Sequence, residues 1–127
     1  MRIHHLAVWC SNIERTRAFY ETYFGAVANA KYHNPRKQFE SYFLSFEGAV
    51  RLELMQRPDI ADRTTEAQSI GYAHIAMSVG SEDRVDELTQ RMIADGVRCT
   101  DGPRRTGDGY YESVVLDPDG NRIEITV

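Results

Sequence analysis

Two histidines and two glutamates occur at matching places in the two halves of the chain. His5 begins the segment HLAV and His74 begins HIAM, while Glu53 lies in RLEL and Glu124 in RIEI. Imidazole nitrogen and carboxylate oxygen together suit borderline divalent ions such as nickel, cobalt, zinc, iron and manganese. A tetrahedral site of four such donors would be closed and structural, whereas an octahedral one would leave two positions for water or substrate oxygens.

A single histidine or glutamate on a strand is usually an ordinary core or surface residue, and it is the repetition that indicates a metal site. The same types recur with nearly equal spacing in both halves. Such recurrence indicates a duplicated module. The repeat also separates two adjacent histidines, because His5 aligns with His74 whereas His4 aligns with Ala73. We therefore predict that His5, Glu53, His74 and Glu124 bind one divalent metal ion per site.

Strand alternation predicts which way these side chains point. Apolar residues flank each glutamate, and in a strand the neighbours of a residue project to the opposite face. The apolar face must lie under a helix, since each layer needs a partner. We therefore expect both glutamates and both histidines on the concave face of their sheets.

The elements that must position these residues repeat as well. Module 1–56 is predicted as β-α-β-β-β, residues 57–69 form a polar linker, and module 70–127 repeats β-α-β-β-β. In the first module strands are predicted at 3–9, 26–32, 39–46 and 50–55. In the second they are predicted at 71–79, 97–100, 110–116 and 121–127. The sequence thus predicts an α+β fold of two tandem βαβββ modules, which together form a single domain over 1–127.

Local signals set the ends of the predicted helices. Ser11 and Glu14 match a capping box at the start of the first helix, and Gly25 is a suitable residue to end it. Gly80-Ser81 and Gly96 have the same roles for the second helix. Residues 101–109 contain three glycines and a proline and are predicted as a mobile loop.

Composition excludes several classes of protein. The net charge of −4 provides no basic field for nucleic acid or for an anionic membrane surface. No apolar run reaches the length of a membrane span. The two cysteines, Cys10 and Cys99, are far apart and form no CxxC motif, which favours reduced thiols in a cytoplasmic protein.

The chain resembles the vicinal-oxygen-chelate superfamily, which contains glyoxalases, bleomycin-resistance proteins and dioxygenases. The resemblance covers essentially the whole chain and rests on the HLAV, LEL and GYAHIA segments and above all on DPDGNRIE at 117–124. It implies paired βαβββ modules that form a cupped, eight-stranded mixed sheet around a metal ion.

Within the superfamily the pattern is most similar to bacterial glyoxalase I (lactoylglutathione lyase). This resemblance implies a metal-dependent lyase or isomerase that acts on the hemithioacetal of a 2-oxoaldehyde and a thiol, or on a related 2-oxo compound, by proton transfer through a metal-bound enediolate. It implies the four metal ligands named above, with nickel or cobalt favoured over zinc, manganese or iron. Glu124 is the first candidate for the catalytic base and Glu53 the second.

The chain departs from glyoxalase I where that enzyme contacts its thiol cofactor. The family has Arg four residues after the first His and Asn four residues after the first Glu, but here these positions are Trp9 and Arg57. Arg105 lies near the position of a substrate-contacting Lys in the family, and a solvated loop is an equally good interpretation of it. Tyr110 is a candidate for the wall of an apolar pocket.

Other members of the superfamily remain as alternatives. Fosfomycin-modifying thiol transferases and extradiol dioxygenases resemble this scaffold but typically do not use the Glu53 position as a ligand. Bleomycin-resistance members sequester a ligand and hold no metal. The partners predicted for this chain are a small-molecule substrate and a second copy of itself in a homodimer, in which a site could combine donors from both chains.

Overall fold

A computed structural model describes residues 1–62, 68 and 70–127. The chain divides into two compact units, Met1–Thr64 and Thr65–Val127. We call these the first and second units. Neither helix in the described part of the chain is long and apolar enough to span a membrane.

The first unit contains one helix and a five-stranded sheet. The sheet order is β1-β5-β4-β2, and β3 also pairs with β4. β1 and β5 are parallel, while β4 is antiparallel to its neighbours. The elements in chain order are β1 His5–Trp9, α1 Ile13–Phe24, β2 Val27–Ala28, β3 Tyr32–Asn34, β4 Phe39–Ser45 and β5 Arg51–Gln56.

The second unit contains one helix and a four-stranded sheet in the order β6-β9-β8-β7. β6 and β9 are parallel, and the other two pairings are antiparallel. The elements are β6 Ile75–Ser78, α2 Glu82–Ala94, β7 Cys99–Arg105, β8 Tyr111–Leu116 and β9 Arg122–Thr126. The predicted α+β class with two tandem modules is thus confirmed.

The described residues form nine strands rather than the predicted eight, because the strand expected at 26–32 is divided into β2 and β3. Asn29 causes the division. Its side-chain oxygen accepts the backbone N–H of Phe43 at 2.7 Å, and its own N–H donates to the Phe43 carbonyl at 3.0 Å. The Phe43 N–H therefore donates to the Asn29 side chain instead of to a backbone carbonyl. This interrupts the regular backbone hydrogen bonding with β4.

The start of α1 differs from the prediction by one residue. Asn12, and not Ser11, is the N-cap, and its side chain accepts the backbone N–H of Arg15 at 3.0 Å. Ser11 instead accepts a hydrogen bond from the Arg15 guanidinium at 3.1 Å. Both residues have cap-forming side chains, so the sequence alone did not separate them. Gly25 ends the helix in the left-handed conformation, at φ 62°, as predicted.

The segment predicted as a loop at 101–109 is largely strand. β7 continues through Gly102 and Pro103 to Arg105, and two register shifts against β8 accommodate these residues. A β-bulge permits Gly and Pro inside a strand. The second helix agrees with the prediction, since Ser81 caps its start and Gly96 follows its C-cap, Asp95.

Each helix packs on the apolar face of its own sheet. α1 buries four residues at helical spacing against the sheet, including Ile13 and Tyr20. α2 does the same with Val85, Thr89 and Met92. The opposite face of each sheet is left for the polar residues that alternate with the core.

Candidate metal centre

The first pair of donors lies on the face of the first unit's sheet away from α1. Leu52 and Leu54 are buried under the helix, so Glu53 between them projects from the other face. The parallel register places Ala7 opposite Glu53. His5, two residues earlier on the same face of β1, brings its Nε2 to 3.6 Å from Glu53 Oε2.

Neighbouring rings hold the His5 imidazole. Phe43 lies opposite Glu53 on β4 and meets the imidazole edge-on, with ring centroids 5.3 Å apart. His5 Nδ1 lies 2.8 Å from Nδ1 of His4, and His4 Nε2 lies 2.8 Å from the guanidinium of Arg51. The Arg51 guanidinium only donates, so His4 Nε2 accepts, and the proton of a neutral His4 lies on Nδ1 and is donated to His5 Nδ1. For His5 Nε2 to offer a lone pair to a metal, His5 must instead carry its proton on Nδ1, which requires this contact with His4 to rearrange.

The second pair of donors repeats this geometry in the second unit. Ile123 and Ile125 are fully buried, and Glu124 projects from the opposite face of β9. Ala76 lies opposite Glu124 in the parallel register with β6. His74, two residues before this alanine, places its Nε2 3.3 Å from Glu124 Oε2.

Glu112 and Arg104 join this second pair, and neither is among the site residues predicted from the sequence. Val114 lies opposite Glu124, so Glu112, two residues before it on β8, shares that face. Glu112 is buried and hydrogen-bonds Glu124. Arg104 lies 3.6 Å from Glu112 and 2.6 Å from Asp101. Side chains alternate between the two faces of β8, so residues two apart share a face. Once Val114 is paired with Glu124, this alternation identifies Glu112 as a residue on the Glu124 face.

Burial raises the pKa of the Glu112 carboxyl. The neighbouring Glu124 carboxylate raises this pKa further, and the Arg104 guanidinium opposes the shift. Glu112 therefore tends to keep its proton where an exposed glutamate would lose it. The face around Glu124 thus carries a second, buried carboxyl in contact with the first.

The two donor pairs fit the requirements of a divalent metal ion. Zinc, as an example, binds imidazole nitrogen and carboxylate oxygen at about 2.0–2.2 Å, so two donors on one ion lie roughly 3.0–3.5 Å apart. The separations of 3.6 and 3.3 Å come close to this range. Among the described residues, no three His, Cys, Asp or Glu side chains are grouped so that they could hold a metal, and Glu112 contacts Glu124 without completing such a group. Each unit therefore offers two donors.

The residues predicted to contact substrate lie at different places. In the first unit, the Arg57 guanidinium packs over the Trp9 ring, 5.4 Å from its centroid, on the same face as His5. In the second unit, Tyr110 is exposed in the turn between β7 and β8. Trp9 and Arg57 were each predicted to contact substrate, and in the structure they contact each other.

Arg105 points toward α2 rather than toward Glu124. Its guanidinium pairs with Glu82 at the start of α2 and lies 5.7 Å from the Tyr111 ring centroid. Tyr111 itself donates a hydrogen bond to Asp86 of α2 at 2.8 Å. Arg104, the adjacent residue, faces Glu112 on the other side of the sheet. Of these two arginines, Arg104 is therefore the one on the His74 and Glu124 face.

Comparison with known proteins gives consistent matches over nearly the whole chain. A family model described as Glyoxalase/Bleomycin resistance protein/Dioxygenase superfamily matches residues 2–125. The uncharacterized protein YwkD of Bacillus subtilis (strain 168) is 37% identical over 125 residues, which cover 97% of this chain and 94% of YwkD. The metallothiol transferase FosB of Lysinibacillus sphaericus (strain C3-41) is 30% identical over 122 residues, which cover 96% of this chain and 79% of FosB.

Solved structures show the same fold. The trypanothione-dependent glyoxalase I of Leishmania major superimposes with a TM-score of 0.78 at 24% sequence identity. The superposition covers 99% of this chain and 86% of the Leishmania chain. At this level of identity the match supports the fold and leaves the reaction open.

Proposed function

Because the chain belongs to the glyoxalase/bleomycin resistance protein/dioxygenase superfamily, we propose that it is a metal-dependent lyase or isomerase of glyoxalase I type. Its substrate would be the hemithioacetal of a 2-oxoaldehyde and a thiol, or a related 2-oxo compound. The observation that carries this proposal is the repeated donor pair, His5 with Glu53 and His74 with Glu124, at equivalent places in the two units.

The four donors would hold one divalent ion, with nickel or cobalt favoured over zinc, manganese or iron. When bound, the ion would fix the two substrate oxygens and stabilise the negative charge that develops on them. His5 and His74 would bind through Nε2, and Phe43 would limit rotation of the His5 ring. Leu52, Leu54 and their counterparts in the second unit anchor the two glutamates to the core.

Glu124 is the proposed base. Its carboxylate would take the proton from the carbon that bears sulfur and return it to the adjacent carbon. The contact with Glu112 supports this assignment, because a buried carboxyl whose pKa is raised can share or relay that proton. Glu53 is the second candidate, and it faces His5 and Phe43 instead.

The test is turnover of methylglyoxal with a panel of common thiols by purified protein loaded in turn with nickel, cobalt, zinc and manganese. We expect activity with at least one pair of metal and thiol. E124Q should lose about 100-fold or more in kcat, whereas E47Q, which changes an exposed turn residue, should retain it. Absence of turnover with every metal and thiol would contradict the proposal.

Metal uptake provides an independent readout. H5A and H74A should each lower the affinity for the ion by about 100-fold or more, because each removes a ligand. H33A removes an exposed imidazole on β3 and should bind metal as the natural protein does. Equal uptake by all three variants would show that the donor pairs are not the site.

A thiol transferase is the second candidate, favoured by the 30% identity to FosB over 96% of the chain. The two proposals differ at Glu53, which is a ligand in the glyoxalase I proposal and typically not in the fosfomycin-modifying enzymes that this scaffold resembles. E53Q with unchanged metal affinity, together with thiol addition to fosfomycin, would favour the transferase. Loss of metal affinity in E53Q would favour the lyase.

We further propose that the chain forms a homodimer, which light scattering would detect. Mixing separately inactive H5A and H74A chains would then show which chain supplies each pair. If a site combines donors of both chains, one site in a mixed dimer is intact, and about a quarter of the activity should return. No recovery would place all four donors in one chain.

A further inference from the structure

Aromatic side chains gather on the face of the first unit that carries His5 and Glu53. The ring of Phe39 packs edge-on against Trp9, with centroids 6.3 Å apart, and lies 6.1 Å from the ring of Tyr32. The guanidinium of Arg57 lies over the Trp9 ring, 5.4 Å from its centroid. We call Trp9, Phe39, Tyr32 and Arg57 the aromatic patch.

The register of the sheet places the aromatic patch next to the donor pair. Trp9 lies opposite Met55, and Met55 and Tyr32 both lie opposite Ser41, so these side chains form one row across the sheet. Glu53 is two residues from Met55 along β5, in the adjacent row. Rows two residues apart are separated by about 6.7 Å. A small molecule held at Glu53 would therefore extend over Trp9.

The patch keeps its rings accessible although they contact one another. Trp9 is 39% exposed and Tyr32 is 53% exposed. Exposed aromatic rings at the edge of a polar site offer stacking surface for a planar group. The side chain of Ser41 beneath these rings is buried. Its hydroxyl is therefore not accessible for a hydrogen bond to a ligand.

Arg57 adds a positive charge in a fixed position. Its Nε pairs with Asp59, and the Trp9 ring supports the guanidinium plane. A guanidinium has five N–H donors in a planar fork, so the pairing with Asp59 leaves donors for a second carboxylate. The patch thus combines a stacking surface with one anion-binding group.

We infer that the aromatic patch binds the distal part of the substrate and that this part is an aromatic ring bearing a carboxylate. The inference rests on the proposed function for the position of the reacting atoms at the donor pairs. Trp9 and Phe39 contact the ring, and Arg57 binds the carboxylate.

Binding can be measured without any reaction, because Trp9 is the only tryptophan of the chain. Its emission should be open to quenching by acrylamide in the natural protein. Benzoate should change that emission in a saturable way, with or without added metal. Cyclohexanecarboxylate, which lacks the aromatic plane, and benzamide, which lacks the charge, should each bind at least about fivefold more weakly.

Variants of the patch separate the contribution of the charge from that of the aromatic rings. R57Q should weaken benzoate at least about fivefold while leaving benzamide unchanged, since only the ion pair is lost. F39L should weaken both probes. R36Q removes an exposed arginine from the turn after β3 and should behave as the natural protein does. Benzoate affinity that R57Q does not lower would overturn the inference.

The other outcomes are equally decisive. Emission shielded from acrylamide would show that the patch is covered by another part of the protein or by a second copy, and would overturn the inference. Methylglyoxal turnover without benzoate binding would reject the inference and leave the proposed function standing. Benzoate binding without turnover of any thiol adduct would reject the proposed function and leave the patch as a ligand site.

Discussion

Ala7 lies directly opposite Glu53 in the parallel pairing of β1 with β5. The small side chain leaves the space beside Glu53 that the imidazole of His5 reaches from two residues away. Ala76 stands in the same relationship to Glu124. In each unit the histidine therefore contacts the glutamate diagonally across two paired strands. The alanine directly opposite the glutamate lies two residues after the histidine.

Enlarging these alanines should disturb metal binding. A7L and A76L place a branched side chain between the two donors, and we expect metal affinity to fall about 10-fold or more in each. Calorimetric titration with nickel would measure the loss. A49L, at an exposed turn position, is the matched control. Unchanged affinity in both variants would show that the diagonal contact is not part of the metal site.

Arg104 and Arg105 are adjacent but should behave differently when replaced. R104A removes the guanidinium that lowers the pKa of Glu112, so the pKa of Glu112 should rise. R105A removes a pairing with Glu82 on the other side of the sheet and should leave the Glu112 pKa as it is. NMR titration of the Glu112 carboxyl would measure both effects.

Activity of the same two variants tests the assignment of the basic residue near the substrate. R104A should reduce kcat, because Glu112 contacts the proposed base, whereas R105A should cost about 0.5 kcal/mol of stability and little activity. A larger loss of activity in R105A would instead support the sequence-based expectation that Arg105 contacts substrate.

Gly102 is the position in β7 where a side chain would be least tolerated. A Cβ there would meet the Glu112 carbonyl oxygen at 2.5 Å and the Ser113 Cα at 2.9 Å, and the backbone has a φ of 76°. G102A should therefore lower the free energy of unfolding by about 3 kcal/mol. Gly25 has a similar φ, 62°, but an added Cβ there would have no atom within 4 Å. G25A should therefore lower the free energy of unfolding by only about 1 kcal/mol. Urea unfolding would compare the two, and equal losses would contradict the steric explanation.

Glu14 links α1 to the sheet and should contribute to stability in a pH-dependent way. Its carboxylate accepts from Lys31 at 2.8 Å and from the Tyr42 hydroxyl at 3.0 Å. The hydrogen bond from Lys31 is the main cause that lowers the pKa of Glu14 below its ordinary value, with smaller contributions from Tyr42 and Arg17. Burial opposes the shift.

A lowered folded-state pKa means that the stabilisation is present above the unfolded-state pKa of Glu14 and is lost as pH falls through the folded-state value. The natural protein should therefore lose more stability than E14Q on acidification below about pH 5. Because Glu14 is half exposed, the difference should be about 0.5 kcal/mol. Thermal unfolding from neutral to acidic pH would measure it, and parallel curves would argue against the linkage.

The sequence predicted the two modules and the faces of the donor residues because strand alternation has a period of two and the chain repeats it. It did not predict the contact between Trp9 and Arg57, since these residues are distant in sequence and meet only through the register of β1 with β5. It misplaced the start of α1 because neighbouring Ser11 and Asn12 can both cap a helix. It assigned Gly102 and Pro103 to a loop because the bulge that keeps them in a strand depends on β8.

The diagonal placement of the donors has a consequence for how this chain can change in evolution. Because backbone pairing of two adjacent strands sets the contact in each unit, insertions in the turns between strands would leave it intact. Deletion of one residue inside β1, β5, β6 or β9 would instead turn a donor toward the helix and an apolar residue outward. Among homologues of this chain, length variation should therefore concentrate in the turns and spare these four strands.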